Sequence, residues 1–310
     1  MKAVLFEKHG GPEVLHLAEV PDPTAGPGEV VVDIHAASVN AADYKVRLGG
    51  SAYSGGGVKL PHILGRDFSG VVSALGAGVS DFTIGDAVFG VCDQGVEGAY
   101  AEKIAIKAAI IARKPARLGH AEAAAMALTS ITALWALEDT AKLEPGETIL
   151  IQGGAGGVAG FAIQLAKHLG ATVITTASAR NHDYVRRLGA DRVIDYNKED
   201  FTKVVSDCDV VFDTVGGEVQ VRSYDVLKPG GRLVWIASAP VGFRPSRTDV
   251  QVLRPSVARD RAHLERMLAL LDAGAMSPPA ITRFKLADAA EAHRISEGRH
   301  LQGKLVFEIR

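Results

Sequence analysis

Short apolar runs bounded by glycine and proline mark the N-terminal third of the chain. Residues 29–34, 70–75 and 86–91 are rich in β-branched side chains, which is typical of β-strands. Their irregular spacing and the many turn residues between them predict a compact, partly open β-barrel.

The pattern changes near His120. Residues 120–141 are rich in alanine and leucine and predict a long helix. Apolar strands are then predicted at 148–152, 172–176, 192–195, 209–213 and 232–237, with helices that begin near Gly156, Asn181 and Val219. Such alternation is typical of a parallel sheet with helical crossovers. Residues 261–272 form an amphipathic pattern, and 277–310 predict strand–helix–strand.

The strongest motif covers residues 149–160, where an apolar strand meets a glycine cluster and then a helix. Gly154, Gly156 and Ala159 match the G-x-G-x-x-G/A fingerprint of dinucleotide-binding sheets. The first position makes the tight turn, the second lets backbone approach a pyrophosphate, and the third lets helix and strand pack closely. The helix N-terminus, at Gly157 and Val158, offers free N–H groups to the phosphates. The alternative is a glycine-rich structural turn of another α/β sheet.

The end of the second strand of this unit distinguishes NAD from NADP. An acidic residue about 20 positions after the fingerprint would hold the ribose 2′-hydroxyl. Residues 175–181 contain no carboxylate but include Ser178 and Arg180, which favour a 2′-phosphate and predict NADPH as the cofactor. Alternatively, Ser178 caps a helix and Arg180 is a solvated surface residue.

Together with this loop, several short segments carry a family resemblance. They are Met1-Lys2-Ala3-Val4, Ser38-Val39-Asn40-Ala41-Ala42-Asp43, Leu64-Gly65-Arg66-Asp67-Phe68-Ser69-Gly70, Ile84-Gly85-Asp86-Ala87-Val88, Leu188-Gly189-Ala190-Asp191 and Gln302-Gly303-Lys304-Leu305-Val306. In this order they resemble the zinc-independent quinone oxidoreductases of the medium-chain dehydrogenase/reductase superfamily. Residues 176–181 resemble the alkenal/enone reductase branch.

The resemblance implies an α/β fold of two domains. A Rossmann NADPH-binding domain, a doubly wound parallel sheet at 120–274, would be inserted into a GroES-like, partly open β-barrel catalytic domain. The catalytic domain would be discontinuous, at 1–119 and 275–310, and a ligand pocket is expected in a cleft between the domains.

The resemblance also bears on metal binding. Zinc-dependent relatives hold catalytic zinc with a Cys, a His and a second Cys, a common three-ligand set. The matching positions here are Asn40, Arg66 and, approximately, Leu128, and none of them suits zinc. Residues 89–115 contain Cys92 as their one cysteine, where such relatives often carry a structural zinc lobe. We expect no functional metal.

Site residues follow from the same comparison. Asn40 is expected to line the nicotinamide cleft and donate to a substrate oxygen, or to satisfy backbone groups in a turn. Tyr53, in the glycine-rich loop 49–57, is expected to face the substrate, unless this is an ordinary surface loop. For Asp43, a helix-terminal or ion-pair role is favoured over catalysis. Further cofactor contacts are expected at Thr129, Tyr196, Val215, Ala237, Ser238 and Lys304, although a terminal-strand lysine is commonly just solvated.

Composition limits the partners and the compartment. The chain has 310 residues, a net charge of −2 and two cysteines, so neither a nucleic-acid footprint nor a disulfide framework is indicated. No signal-peptide pattern or long apolar span is found, and we expect a cytoplasmic protein. The apolar run 232–237, as an edge strand, would favour a homodimer.

The leading functional hypothesis is hydride transfer from NADPH to a small electrophilic substrate, a quinone, enone or alkenal, without metal. An enoyl-thioester reductase is the alternative enzyme and would need a longer groove with cationic contacts. A non-enzymatic NADPH-binding sensor or structural protein is the alternative outside enzymes. Hydrolase and kinase readings have no support, since no G-x-S-x-G or Walker loop is present.

Overall fold

The computed structural model describes residues 1–50, 57–96, 98–245, 247–256 and 258–310. Two compact units make up the chain. The first comprises Met1–Leu128, Ala258–Leu268 and Pro278–Arg310, and the second comprises Thr129–Val257 and Ala269–Ser277. Both chain ends therefore belong to the first unit. Within the described ranges, no helix has the length and apolar character needed to cross a membrane.

The elements follow in chain order. The strands are β1 Lys2–Phe6, β2 His16–Glu19, β3 Glu29–Ser38, β4 His62–Ile63, β5 Asp67–Leu75, β6 Ala87–Val91, β7 Lys103–Lys107, β8 Ile111–Arg113, β9 Thr148–Ile151, β10 Thr172–Ala177, β11 Arg192–Asp195, β12 Cys208–Asp213, β13 Leu227–Trp235, β14 Gln251–Leu253, β15 Ile281–Lys285 and β16 Lys304–Glu308. The helices are α1 Ala41–Arg47, α2 His120–Leu134, α3 Gly157–His168, α4 His182–Arg187, α5 Phe201–Val204, α6 Glu218–Ser223, α7 Arg261–Asp272 and α8 Ala289–Glu297.

The first unit is built around the long strand β3. Along its whole length β3 pairs antiparallel with β5, while its other edge pairs first with β7 and then with β16. Register shifts between Val31 and Val32 and between Ile34 and Ala36 bend the strand, because bulges increase local twist. The sheet runs β15–β16–β3–β5–β6–β8, and β1, β2 and β4 form a smaller one. Alternating buried residues such as Val30, Val32 and Ile34 face the core.

The second unit is a parallel sheet with the order β11–β10–β9–β12–β13–β14. The strand order reverses beside β9, and the crossover helices include α3, α4 and α6. Strand β9 is buried at Ile149, Leu150 and Ile151, as expected of a strand covered on both faces. The predicted α/β fold class, with a doubly wound parallel sheet, is confirmed.

One expectation about the sheet edge was wrong. The run 232–237 was expected to be an edge strand, but β13 is interior, because β14 pairs with it from Arg232 to Val234. Strand β14 has only three residues, Gln251–Leu253, too few for an apolar alternation to stand out. The edge strand beyond β13 is therefore β14, where Val252 is exposed.

Candidate functional site

The loop after β9 follows β10 closely. Gly153 has a positive φ of 74°, so the tight turn lies there rather than at Gly154. Gly154 donates its N–H to the Thr176 carbonyl at 2.9 Å, and a Cβ added to it would overlap Thr175 Oγ1. Glycine is thus required at 154 by the strand beside it.

Gly156 begins α3 and has a different environment. It is the N-cap of α3 and provides no side-chain capping bond. An added Cβ would have Gly153 O, at 3.4 Å, as its nearest neighbour, so packing among the described residues does not explain this glycine. The N–H groups of Gly157 and Val158 form the uncapped first turn, where the positive end of the helix dipole lies. These features fit a bound pyrophosphate.

Three predicted residues meet at the end of β10. Because Ala177 pairs with Asp195 across β10 and β11, Ser178 and Tyr196 leave the sheet side by side. Ser178 Oγ accepts a bond from Asn181 Nδ2 at 3.3 Å, and Arg180, in the following turn, is exposed. A hydroxyl, a cation and an aromatic ring thus stand where a ribose phosphate would lie in such a sheet.

A third group lies past β12 and β13. Asp213 accepts the N–H groups of Val215 at 2.9 Å and Gly216 at 3.0 Å, and Gly217 donates to Ser238 O at 2.9 Å. A Cβ added to Gly216 would lie 2.9 Å from Ala237 Cβ. The structure therefore brings Val215, Ala237 and Ser238 together at the carboxyl edge of the sheet.

Some residues fall outside these groups, and others were missed. Thr129 is buried on α2 in the second unit and is not among the contacts above. Tyr53 lies outside the described residues. The sequence-based site omitted Gly153, Thr176 and Asp213, although an aspartate at a strand end before two glycines was a usable signal.

In the first unit, Asn40 and Lys304 are in contact. Lys304 Nζ donates to Asn40 Oδ1 at 2.6 Å and to Val39 O at 2.8 Å. Asn40 Nδ2 donates to Asp67 Oδ1 at 2.9 Å and, more weakly, to Ser38 O at 3.4 Å. A cation on one side and a carboxylate on the other fix the amide orientation.

The burial of Lys304 excludes the alternative in which this lysine is simply a solvated side chain on a terminal strand. Lys304 is 4% exposed, and burial lowers its pKa while raising the pKa of Asp67. The Asn40 amide joins the two groups, since it accepts from Lys304 and donates to Asp67.

A second chain of hydrogen bonds positions the backbone of Asn40. Asp43 Oδ2 accepts the Asn40 backbone N–H at 2.8 Å and the Tyr100 hydroxyl at 2.8 Å. His293 Nε2 lies 3.3 Å from that hydroxyl, and Arg47 donates to His293 Nδ1 at 3.0 Å. Since Arg47 can only donate, His293 carries its proton on Nε2. The chain is therefore directional, from Arg47 to Asp43.

Burial dominates the electrostatics of this chain. It raises the pKa of Asp43 to about 7, against the opposing effect of Arg66, and lowers the pKa of His293 to about 3. Arg47 also forms an ion pair with Glu297 of α8. The chain thus ties the start of α1 to α8 and fixes the backbone at Asn40.

The three positions compared with zinc ligands lie around two aspartates. Arg66 is buried, with Nε 3.7 Å from Asp43 Oδ1, and the Leu128 N–H lies 3.4 Å from Asp67 Oδ2. Asn40 bonds to both aspartates. Among the residues described, no group of three or more His, Cys, Asp or Glu side chains is placed to hold a metal ion.

Two known families match parts of the chain. Residues 26–116 match the family described as "Alcohol dehydrogenase GroES-like domain", and residues 188–307 match "Zinc-binding dehydrogenase". These stretches cover much of the first unit and the later part of the second.

Individual proteins are similar over most of the chain. The "NADPH-dependent alkenal/one oxidoreductase, chloroplastic" of Arabidopsis thaliana is 34% identical over 99% of this chain and 79% of its own. The "2-methylene-furan-3-one reductase" of Solanum lycopersicum is 39% identical over 79% of this chain, which spans 64% of that protein's length. The solved quinone oxidoreductase from Coxiella burnetii superposes with a TM-score of 0.92 at 36% identity, covering 100% of this chain and 99% of that one.

Proposed function

Because the chain belongs to the quinone oxidoreductase-like family of the medium-chain dehydrogenase/reductases, we propose that it reduces quinones or α,β-unsaturated carbonyls with NADPH, without a metal. The observation that carries the proposal is the Asn40–Lys304 pair. Asn40 stands at a position that the resemblance compares with a zinc ligand, and Lys304 Nζ donates to its Oδ1 at 2.6 Å. Both side chains are hydrogen-bond donors.

The donors match the needs of this reaction. When bound, NADPH supplies the hydride. A hydride added to the β-carbon of an enone would shift the alkene electron pair toward the carbonyl carbon and the carbonyl pair onto its oxygen, and a proton from Tyr53 or water would then add at the α-carbon. The resulting enolate is delocalised and needs weaker stabilisation than a simple alkoxide, for which metal ions serve. One well-placed donor contributes roughly 3 kcal/mol to such a transition state.

Lys304 and Asn40 each retain some donor capacity. In the described part of the chain, Lys304 Nζ uses two of its three N–H groups, on Val39 O and Asn40 Oδ1. One Asn40 amide hydrogen makes only the 3.4 Å contact with Ser38 O. We assign these two hydrogens to the substrate oxygen or to a ribose hydroxyl, and Tyr53 remains a proposed substrate contact.

The proposed cofactor site uses the second unit. Gly154, Gly156, Gly157 and Val158 would hold the pyrophosphate, and Ser178, Arg180 and Tyr196 the adenosine 2′-phosphate. Val215, Ala237, Ser238 and Thr129 are assigned to the nicotinamide half, and Lys304 remains a proposed cofactor contact. We also propose that the catalytic domain comprises residues 1–119 and 275–310 and that the NADPH domain comprises residues 120–274.

We further propose that the protein is a homodimer formed through the β14 edge and that it is located in the cytoplasm.

A turnover panel tests the proposal. Purified protein is assayed for loss of NADPH absorbance with quinones, enones, alkenals, enoyl-thioesters and simple ketones, before and after treatment with a chelator. We expect quinone or enone turnover that the chelator does not change, in protein without stoichiometric zinc. Preference for enoyl-thioesters would replace the proposal with the alternative enzyme, and NADPH binding without any turnover would indicate a sensor. Activity lost to the chelator and restored by zinc would refute metal independence.

A further inference from the structure

Gln152 is a buried polar residue between β9 and the glycine loop of the second unit. It is 1% exposed. Its backbone N–H donates to Phe212 O at 3.0 Å, and its backbone carbonyl accepts the Thr214 hydroxyl at 2.8 Å. The backbone of Gln152 is therefore fixed to the end of β12, and its side-chain amide bonds elsewhere.

The side-chain amide of Gln152 joins two hydroxyl groups that lie on different elements. Its Oε1 accepts from Thr176 Oγ1 of β10 at 2.8 Å, and its Nε2 donates to Ser223 Oγ of α6 at 3.2 Å. Ser223 gives its single hydrogen to Val219 O at 2.7 Å, so it must accept from Gln152, which sets the amide orientation. Thr176 accepts the Gly153 N–H at 3.0 Å. A directed chain of hydrogen bonds thus runs from the glycine loop to α6.

The partners of this amide adjoin all three groups of the proposed cofactor site. Thr176 lies two residues before Ser178, and Gly153 begins the glycine loop. Thr214 precedes Val215 in the turn that leads into α6. A Cβ added to Gly153 would lie 3.0 Å from Val215 Cγ2 and 3.2 Å from Thr214 Oγ1, so the loop and the turn are neighbours. The buried amide is the polar link among them.

We propose that Gln152 is a positioning residue for the dinucleotide, because its amide holds α6 and the turn at 214–217 in a fixed place relative to the glycine loop and the end of β10. The inference rests on the proposed function, which assigns the 2′-phosphate and the pyrophosphate to β10 and the loop, and the nicotinamide half to the turn. A ligand that spans these groups binds best when their separation is set before it arrives.

Titration with a matched pair of ligands tests this role. NADPH spans all three groups, whereas 2′,5′-ADP would occupy only the loop and the end of β10. Gln152→Met keeps the side chain about as long but removes its hydrogen bonds. We expect it to raise the Kd of NADPH by about tenfold and to leave the Kd of 2′,5′-ADP within about twofold. Fluorescence titration gives the first Kd and calorimetry the second.

Two further variants cut the chain at its ends. Ser223→Ala removes the link to α6 and should show the same selectivity for NADPH, so it decides the proposal if Gln152→Met does not fold. Thr176→Val also removes the acceptor of the Gly153 N–H and should weaken both ligands. The control is Gln164→Met, because Gln164 of α3 bonds to Ser277 in the same unit, and it should change neither Kd.

A purely structural role gives a different pattern. It would lower the unfolding temperature of Gln152→Met and leave both Kd values unchanged, or raise both alike, and either result would overturn the proposal. A selective loss of NADPH binding in Gln164→Met would overturn it too.

These measurements separate the inference from the proposed function. If no quinone or enone is turned over, a loss confined to NADPH in Gln152→Met and Ser223→Ala still supports the positioning role, while the proposed function fails. Turnover of a quinone or enone by the wild type, together with unchanged Kd values in both variants, would leave the proposed function standing and refute the role of Gln152.

Discussion

Lys304 is the residue on which the proposed chemistry depends most directly. Its ammonium group is buried, and burial lowers its pKa. The charge of Asp67 opposes this shift, and Lys304 Nζ donates to Asn40 Oδ1 and Val39 O. A buried donor held in this way is already desolvated, so its remaining N–H interacts strongly with a developing oxyanion.

Replacing Lys304 by Met should therefore lower kcat by about 100-fold, the effect of losing one donor to the transition state. The measurement is steady-state turnover of the best quinone or enone, with the Kd of NADPH followed in parallel. Lys8→Met, at an exposed lysine, provides the control. Asn40→Ala should show a similar loss in kcat. An unchanged kcat in Lys304→Met, with a raised Kd for NADPH, would limit this lysine to cofactor binding.

Substitution of a single residue, Arg180, tests the assignment of NADPH as the cofactor. It is exposed in the turn after β10, next to Ser178, and a 2′-phosphate there would gain a charge-assisted bond. Arg180→Ala should raise KM for NADPH by about tenfold and leave KM for NADH nearly unchanged. Arg187→Ala, at an exposed arginine on α4, should affect neither. A parallel rise for both cofactors would contradict the assignment of Arg180 to the 2′-phosphate.

At the scale of the element, the loop between β9 and α3 contains glycines with separate purposes. Gly154 is needed because β10 lies against it, while a Cβ added to Gly156 at the N-terminus of α3 would meet only Gly153 O, in ordinary contact at 3.4 Å. The fingerprint spacing predicts the loop but does not distinguish these purposes, since glycine occupies both positions. The distinction depends on the backbone of β10, which is some 20 residues further along.

Two alanine substitutions separate these purposes. Gly154→Ala should reduce the free energy of unfolding by about 1–3 kcal/mol, because the new methyl group overlaps Thr175. Gly156→Ala should leave stability within about 0.5 kcal/mol yet raise the Kd of NADPH by about tenfold, since the methyl group would meet the pyrophosphate. Chemical denaturation and fluorescence titration give the two quantities. Equal effects of both substitutions on stability, with unchanged NADPH binding, would mean that the whole loop is structural.

The elements also show what sequence reasoning reaches. The strands and helices of the parallel sheet follow from apolar runs and their spacing, and the predicted alternation is present from β9 to β13. Strand β14 was missed because its three residues include an exposed valine and no alternation. The Asn40–Lys304 bond joins residues 264 positions apart, and no local pattern encodes such a pairing. The directional chain through His293 is equally non-local.

At the scale of the whole molecule, buried groups with displaced pKa values connect protonation to folding. His293 ties α8 to α1 through Arg47 and to the core through Tyr100. Burial lowers its pKa to about 3 from 6.5. The folded state thus keeps this histidine neutral at a pH where the unfolded chain protonates it. Its contribution to stability is complete above pH 6.5 and is lost as the pH falls toward 3.

Asp43 affects the free energy of unfolding over the same pH range, but its pH dependence is opposite to that of His293. Its pKa rises from 3.8 to about 7 on folding, so the folded state binds a proton that the unfolded state has released. This contribution is complete below pH 3.8 and is lost as the pH rises toward 7. The pH-dependent changes that His293 and Asp43 make to stability partly cancel between about pH 4 and pH 6.5 in the wild type. A variant at either position is therefore needed to reveal the other.

His293→Gln removes one of these opposing contributions. The glutamine amide retains an acceptor for Arg47 and a donor for Tyr100 but does not titrate. Between pH 6.5 and 4, the wild type should lose more free energy of unfolding than this variant. The reason is that His293 binds a proton once the wild type unfolds, whereas glutamine binds none. Urea unfolding at half-unit pH steps measures the difference, with the exposed His168→Gln as control. Parallel pH profiles for wild type and His293→Gln would show that Arg47, Tyr100 and Asp43 do not hold this histidine neutral in the folded protein.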